Sequence, residues 1–279
     1  MRANGLVAAF FVPAGAEKPL PAVIVLGGSE GGVGGDTARS IAQHGFATLA
    51  LAYFRAPGLP DELGNIPLEY FDTAINWLKE QPAVDANRIG AFGISTGGEA
   101  ALLIASRNPT IRAVVAGAPS NVVWQGIGKA SAPGGAASFS LGGKSVSFLP
   151  YDHSKSFTTV YDLYIRSFAK RDAYPDAAIP VEKINGGILL ICGEDDRLWP
   201  SCPMSDEVIA RLKEKKFQSR VQLLRYSNAG HGAVGEPYTP DDPTAKDELG
   251  GTQGGNVAAR TDGWPKAIAF LSEVLNQKR

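Results

Sequence analysis

With 279 residues, 44% of them hydrophobic and 20% charged, the chain can bury a sizeable core and has the composition of a globular protein. A net charge of −1 offers no pull toward nucleic acid or an anionic membrane, and no apolar run approaches the length of a membrane span. Nucleic-acid partners and membrane spans are therefore set aside, and a single domain over 1–279 is expected.

Met1-Arg2-Ala3-Asn4 followed by the apolar Gly5 to Val12 has a faint look of a signal peptide, but it reads better as a first strand. The chain then turns through Pro13 to Pro21 into a second strand, Pro21 to Leu26. Gly27-Gly28-Ser29-Glu30-Gly31-Gly32 follows it, a loop whose glycines suit a backbone with inward-turned amides. G-x-G-x-x-G cannot be laid on this loop. A P-loop fails too: Gly143-Lys144-Ser145 has the right ending, but Ser138 stands where the first glycine is needed. A helix is expected near Asp36 to His44, a strand over Phe46 to Tyr53, and a Pro- and Gly-rich loop from Ala56 to Pro67. The next helix, Leu68 to Lys79, sets Phe71, Ala74, Ile75 and Leu78 on one face and stops at Pro82.

Gly93-Ile94-Ser95-Thr96-Gly97 lies between an apolar strand-like run, Ile89 to Ile94, and a helix-like run, Gly98 to Ser106. In that setting G-x-S-x-G means a nucleophile elbow rather than a glycine-rich loop that happens to contain a serine. The turn is sharp, so the residues two before and two after the serine must be small. A serine hydroxyl is a poor nucleophile and needs a histidine base and an acid, expected in the order Ser, Asp, His.

Only three histidines are available. His44 ends a helical stretch ahead of the serine and reads as a terminal cap. His153 falls in an irregular stretch and reads as a surface residue. His231 follows the strand-like Val221 to Tyr226 in Ser-Asn-Ala-Gly-His-Gly, where small neighbours leave an imidazole accessible, and it is the candidate base. For the acid, Gly187 to Cys192 reads as a buried strand, and Glu194, Asp195 and Asp196 compete just beyond it. The third place after Gly193 favours Asp196, leaving Asp195 as a solvated turn residue or cap. Two backbone donors are expected for an oxyanion, the Thr96 N–H and that of Ser29, with Gly28 the near alternative to Ser29.

After a strand at Ile111 to Ala118 the regular alternation lapses. The stretch from Ser120 to Lys183 carries Trp124, Phe139, Phe148, Tyr151, Phe157, Tyr161, Tyr164 and Phe168 among glycine-rich turns. It reads as a cap-like insertion, about 121–183, with some helix in its second half. Most of its aromatics are expected to pack the segment's own small core, with Trp124 and Tyr151 the ones nearest to function. A long polar loop, Glu236 to Asn256, and a last helix, Trp264 to Leu275, capped from Thr261 or Asp262, close the chain. The alternation of strand and helix gives an α/β class with a mostly parallel, doubly wound sheet. The two cysteines, Cys192 and Cys202, make no disulfide framework and read as reduced, non-catalytic thiols, which points to the cytoplasm.

Several motifs, in order, resemble one family. They are Ala52-Tyr53-Phe54 with Gly58-Leu59-Pro60, Ile66-Pro67-Leu68-Glu69-Tyr70-Phe71, and Arg88 to Phe92 running into Gly93-Ile94-Ser95-Thr96-Gly97-Gly98-Glu99. Ile179 to Ile184, Gly193 to Ser201, Gly230-His231, Gly250-Gly251-Thr252 and the Trp264 helix complete the set. The chain resembles the C-terminal catalytic domain of the acyl-CoA thioesterases and bile acid-CoA:amino acid N-acyltransferases, α/β-hydrolases close to dienelactone hydrolase.

The resemblance implies an α/β-hydrolase fold and a Ser- or Cys-Asp-His triad acting on acyl thioesters. By position the triad falls on Ser95, Asp196 and His231. Relatives often carry an N-terminal β-sandwich domain, whereas this chain starts directly at the hydrolase. The acyltransferase branch typically has cysteine as nucleophile, and serine at 95 favours transfer to water. The expected activity is hydrolysis of acyl thioesters or carboxylic esters through an acyl-enzyme, with no cofactor and no metal. The partner is a small-molecule acyl ester or thioester. A dienelactone-type hydrolase of small esters and a non-catalytic binding module of the same fold are the alternatives. Should CoA be the leaving group, Arg197, Lys129 or Lys144 would meet its phosphates.

Overall fold

The computed structural model describes residues 2–239, 242–245 and 248–277. Strands β1 (Arg2–Ala3), β2 (Leu6–Phe11), β3 (Leu20–Leu26) and β4 (Ala47–Ala52) open the chain, with helix α1 (Gly35–Gln43) between β3 and β4. A short β5 (Ile66–Pro67) leads into α2 (Leu68–Lys79). Then come β6 (Val84–Ile94), α3 (Thr96–Arg107) and β7 (Ile111–Gly117). The irregular stretch holds β8 (Phe139–Leu141), β9 (Lys144–Ser145) and α4 (Val160–Phe168). After it come β10 (Gly187–Gly193), α5 (Ser201–Glu214), β11 (Val221–Tyr226) and α6 (Gln253–Asn276).

The main sheet runs β1-β2-β4-β3-β6-β7-β10-β11. β1 to β2 and β2 to β4 are antiparallel, and every later neighbour is parallel. Its central strands are buried on both faces, so β10 reads as an unbroken apolar run and β4 as one broken only by Thr48, whose hydroxyl donates to the Ala38 carbonyl at 2.8 Å. One face packs under α2 and α3, the other under α1 and α6. On α2, Phe71 and Leu78 are fully buried, each contributing about 2 kcal/mol by the area it removes from water.

The irregular stretch is not a separate body. β8 pairs with β5 of the preceding part, and β9 with β8. Trp124, Tyr151, Tyr164 and Phe168 pack with Trp199 and Met204 as a cluster of their own. The expectation that most of the aromatics pack a core of the segment's own is met by these four only: Phe139 and Phe148 pack into the main core, and Phe157 is exposed.

The last helix differs from the sequence reading. It begins at Gln253, capped by Thr252, whose side chain accepts the Gly255 N–H at 3.0 Å. Gly263 and Pro265 mimic a helix start. Proline inside a helix costs about 3 kcal/mol, but Asn256, Ala259, Gly263 and Ala267 form a buried face that holds the longer helix against the sheet. The polar loop before it therefore ends at Thr252. Its residues 240, 241, 246 and 247 lie outside the described residues.

The cysteines also differ. Cys192 and Cys202 form a disulfide, with Cα atoms 5.3 Å apart. Ten residues of separation carried no signal for this, because only the packing of α5 beside the end of β10 brings the two together. The inference from reduced thiols to the cytoplasm falls with it, since disulfides persist in oxidising surroundings. On the chain-entropy account a bridge closing so short a loop contributes roughly 3 kcal/mol. Reduction should therefore lower the melting temperature by several degrees, read by thermal unfolding with and without reductant. An unchanged melting temperature after thiol titration shows full reduction would refute this.

Candidate active site

Ser95 stands between β6 and α3 with φ +60° and ψ −127°, a conformation that non-glycine residues rarely hold. The turn closes only because of its glycines. A Cβ at Gly93 would overlap the Gly97 carbonyl, and one at Gly97 would overlap the carbonyls of Leu26 and Gly27. The serine is 6% exposed, at the end of a parallel strand where α/β sheets gather their ligands.

His231 and Asp196 reach the same place from β11 and β10. His231 Nδ1 lies 2.9 Å from Asp196 Oδ2. With Nδ1–H donating to the carboxylate, Nε2 is the basic nitrogen, and it has no hydrogen-bond partner among the described residues. Asp196 is 4% exposed and fully engaged. Its Oδ1 accepts the Leu198 N–H at 2.9 Å and the Trp199 N–H at 3.2 Å, while Oδ2 also accepts the Ser201 hydroxyl at 2.6 Å. Ser201 was not singled out in the sequence. Its place, five residues past the acid, becomes meaningful only once the turn and α5 fold back. Asp195 points elsewhere, pairing with Arg197 at 2.6 Å.

A cavity of about 280 Å³ is lined by Ser95, His231, Ser29, Glu30, Leu198 and Arg260 among others. The Thr96 N–H is the first of α3 and so has no carbonyl of its own helix to meet. The Gly28 N–H, the alternative to Ser29, is taken by Glu30 Oε1 at 2.8 Å. The loop is steadied from behind by Tyr53, whose hydroxyl donates to the Gly27 carbonyl at 2.7 Å and lies 3.4 Å from Thr96 Oγ1. Burial, above all, raises the Tyr53 hydroxyl's pKa beyond its ordinary value, so it stays a neutral donor.

The other candidates are not brought to the cavity. His44 is exposed at the end of α1, and His153 is an exposed residue whose Nε2 lies 2.8 Å from the Ser131 carbonyl. Lys129 borders a different cleft beside Glu62, Lys144 is exposed on β9, and Arg197 is bound to Asp195. The cation in the wall is Arg260 of α6, hidden from a sequence reading that began the helix at Trp264. Trp124 and Tyr151 are buried in the aromatic cluster, which touches the site only through Trp199, 5.9 Å from the His231 ring.

Glu99, one turn into α3, is fully buried beside that cluster. Its Oε1 accepts the Trp124 N–H at 3.1 Å, tying the irregular stretch to the helix. Burial raises its carboxyl pKa well above the usual range, which the Trp124 N–H only partly offsets. Burial likewise pushes the nearby Tyr164 hydroxyl up to about 12.

Ser95 and His231 thus line one cavity, and Asp196 holds the imidazole from behind. The sheet order and its helices define an α/β-hydrolase fold. The same fold is seen in a dienelactone hydrolase-like promiscuous phosphotriesterase from metagenomic libraries, with a TM-score of 0.58 at 19% identity over 96% of this chain and 92% of that one. The chain belongs to the BAAT / acyl-CoA thioester hydrolase C-terminal family, whose model matches residues 66–277. It is 29% identical to the peroxisomal succinyl-coenzyme A thioesterase of Mus musculus over 99% of its own length. It is 30% identical to acyl-coenzyme A thioesterase 6 of Homo sapiens over 100% of its length. The chain spans 65% of the first relative and 66% of the second. Among the described residues no helix is long and apolar enough to cross a membrane.

Proposed function

We propose that this protein is a serine hydrolase that cleaves acyl thioesters of the acyl-CoA kind, or carboxylic esters, through an acyl-enzyme. The observation that carries the reading is the His231–Asp196 pair at 2.9 Å, opening on the cavity that Ser95 also lines. Ser95 attacks the acyl carbonyl while His231 Nε2 takes its proton, and Asp196 holds the imidazole and stabilises its charged form. The amides of Thr96 and Ser29 receive the oxyanion. The imidazolium then protonates the leaving group. In the second half His231 draws a proton from the water that attacks the acyl carbonyl, then gives it to the Ser95 oxygen as the ester bond breaks and the acid leaves.

The curated relatives are named as CoA thioesterases, which supports a thioester substrate, and a small-ester hydrolase is the second reading, supported by the dienelactone hydrolase-like neighbour. The stretch of about 121–183 does not line the cavity; it supports the site from behind, through the packing of its cluster on Trp199 beside His231.

Labelling with a fluorophosphonate, mapped by mass spectrometry to Ser95, tests the nucleophile; a folded protein that stays unlabelled would count against it. Salt tests the leaving group. CoA carries phosphates, and with a net charge of −1 the attraction must be local, with Arg260 the cation in the wall. Raising salt should increase KM for an acyl-CoA more than for an uncharged p-nitrophenyl ester of the same acyl group, because screening weakens only charged contacts. An equal response would remove CoA from the reading and leave an esterase.

A further inference from the structure

Gly250-Gly251-Thr252 has so far had no task, yet with Leu249 it forms a strap across both halves of the His231–Asp196 pair. The Leu249 carbonyl accepts two N–H groups, that of Arg197 at 2.8 Å and that of His231 itself at 3.3 Å. Gly250 is bridged to Asp196 and Gly251 to Ala229. The Gly251 N–H donates to Asp195 Oδ2 at 3.0 Å, and the Thr252 N–H to the Asn228 carbonyl at 2.9 Å. Turns from β10 and β11, some 35 residues apart in the chain, are thus joined by one crosspiece. The fit leaves no room for a side chain: Gly250 has φ +105°, and a Cβ there would overlap the Asp195 carbonyl.

The crosspiece is pinned from α6. Asn256 is fully buried; its Oδ1 accepts the Gly230 N–H at 2.9 Å, next to the histidine. Its Nδ2 donates to the Ala245 carbonyl at 2.9 Å and to the Gly250 carbonyl at 3.3 Å. One side chain therefore holds the base loop with one end and the strap with the other.

We propose that Asn256, with the strap 249–252, is a positioning device that sets His231 against Asp196, and that Asp195 is its anchor on the acid side. The inference rests on the proposed function, in which a tenths-of-an-ångström error between base and acid slows proton transfer. Displacement on the order of 1 Å costs about 10²-fold in rate. A strap that served only to hold the fold would lower stability and leave the chemistry of folded molecules alone.

The test uses Asn256→Ala, Asp195→Ala and Asp195→Asn on the full chain, with p-nitrophenyl butyrate as substrate. It also follows the downfield proton NMR signal of the His231 Nδ1–H bonded to Asp196, assigned by its loss in His231→Gln. Asn256→Ala should lower kcat about 10²-fold with KM little changed, and should broaden or remove the downfield signal while far-UV circular dichroism stays native. Asp195→Ala should cost about tenfold, the rate equivalent of one hydrogen bond. Asp195→Asn, which keeps an oxygen to accept the Gly251 N–H, should restore most of that loss. A folded Asn256→Ala protein with wild-type kcat and an intact signal would overturn the proposal. Should Asn256→Ala not fold, the Asp195 pair decides: equal behaviour of Ala and Asn overturns it, and rescue by Asn supports it. Turnover surviving in Ser95→Ala would instead defeat the proposed function, and the signal would still report on the strap.

Discussion

Ser95→Ala and His231→Ala should each remove nearly all turnover, and the double mutant should be little worse than either. Members of a triad act as one unit, and single losses reach on the order of 10⁶-fold in a well-studied protease. Here the reason for non-additivity is geometric. Among the described residues His231 is the one imidazole lining the cavity with Ser95, and it is buried and held at Nδ1 by Asp196. Neither substitution should disturb the fold. Ser95 is a small side chain on a turn closed by Gly93 and Gly97, and the His231 backbone is fixed by the strap rather than by its ring. Steady-state rates on an acyl-CoA and on a p-nitrophenyl ester check this, with circular dichroism as control. If Ser95→Ala kept a tenth of the wild-type rate, the nucleophile would lie elsewhere.

Asp196→Asn should lower kcat roughly 10⁴-fold, by analogy with the same change in a serine protease, while leaving the molecule folded. The amide can still accept the N–H groups of Leu198 and Trp199 that now reach Oδ1. Its NH₂ would then face His231 Nδ1 and the Ser201 hydroxyl, the two groups that Oδ2 now serves. A donor there demands an accepting Nδ1, which places the proton on Nε2 and leaves no base toward Ser95. Asp195→Asn should matter far less, because Asp195 faces Arg197 and the strap and does not touch the imidazole. Kinetics on the two variants side by side would reverse the assignment if Asp195→Asn proved the more damaging.

The disulfide adds a constraint on the same turn. Cys192 and Cys202 close a loop that contains Asp196, both its N–H donors, Leu198 and Trp199, and its hydroxyl partner Ser201, so Asp196 and these partners are held at both ends. The chain belongs to a thioester hydrolase family that also holds an N-acyltransferase, so under the proposed function the choice between water and an amine as acceptor rests with the site around Ser95.

The sequence by itself determined the elbow, since its demand is local: a strand, a serine at positive φ, and glycines two residues to either side where any Cβ would strike the backbone. It also determined the run of parallel strands, because strands buried on both faces must be almost wholly apolar, as β10 is and as β4 is but for Thr48. Chain order and small neighbours pointed to His231 and the place beyond a buried strand to Asp196, and the structure sets these two side chains 2.9 Å apart. Tertiary structure decided what depends on groups far apart in the chain. It paired the cysteines through the docking of α5 on β10, extended α6 back to Gln253 through a buried face that outweighs Pro265, and put Arg260 in the cavity wall. It also turned Asp195 away from the imidazole and gave Gly250-Gly251-Thr252 a position across the acid and base turns. Those outcomes rest on hydrogen bonds and packing that exist only once the chain has folded, and no periodicity or spacing within a short window records them.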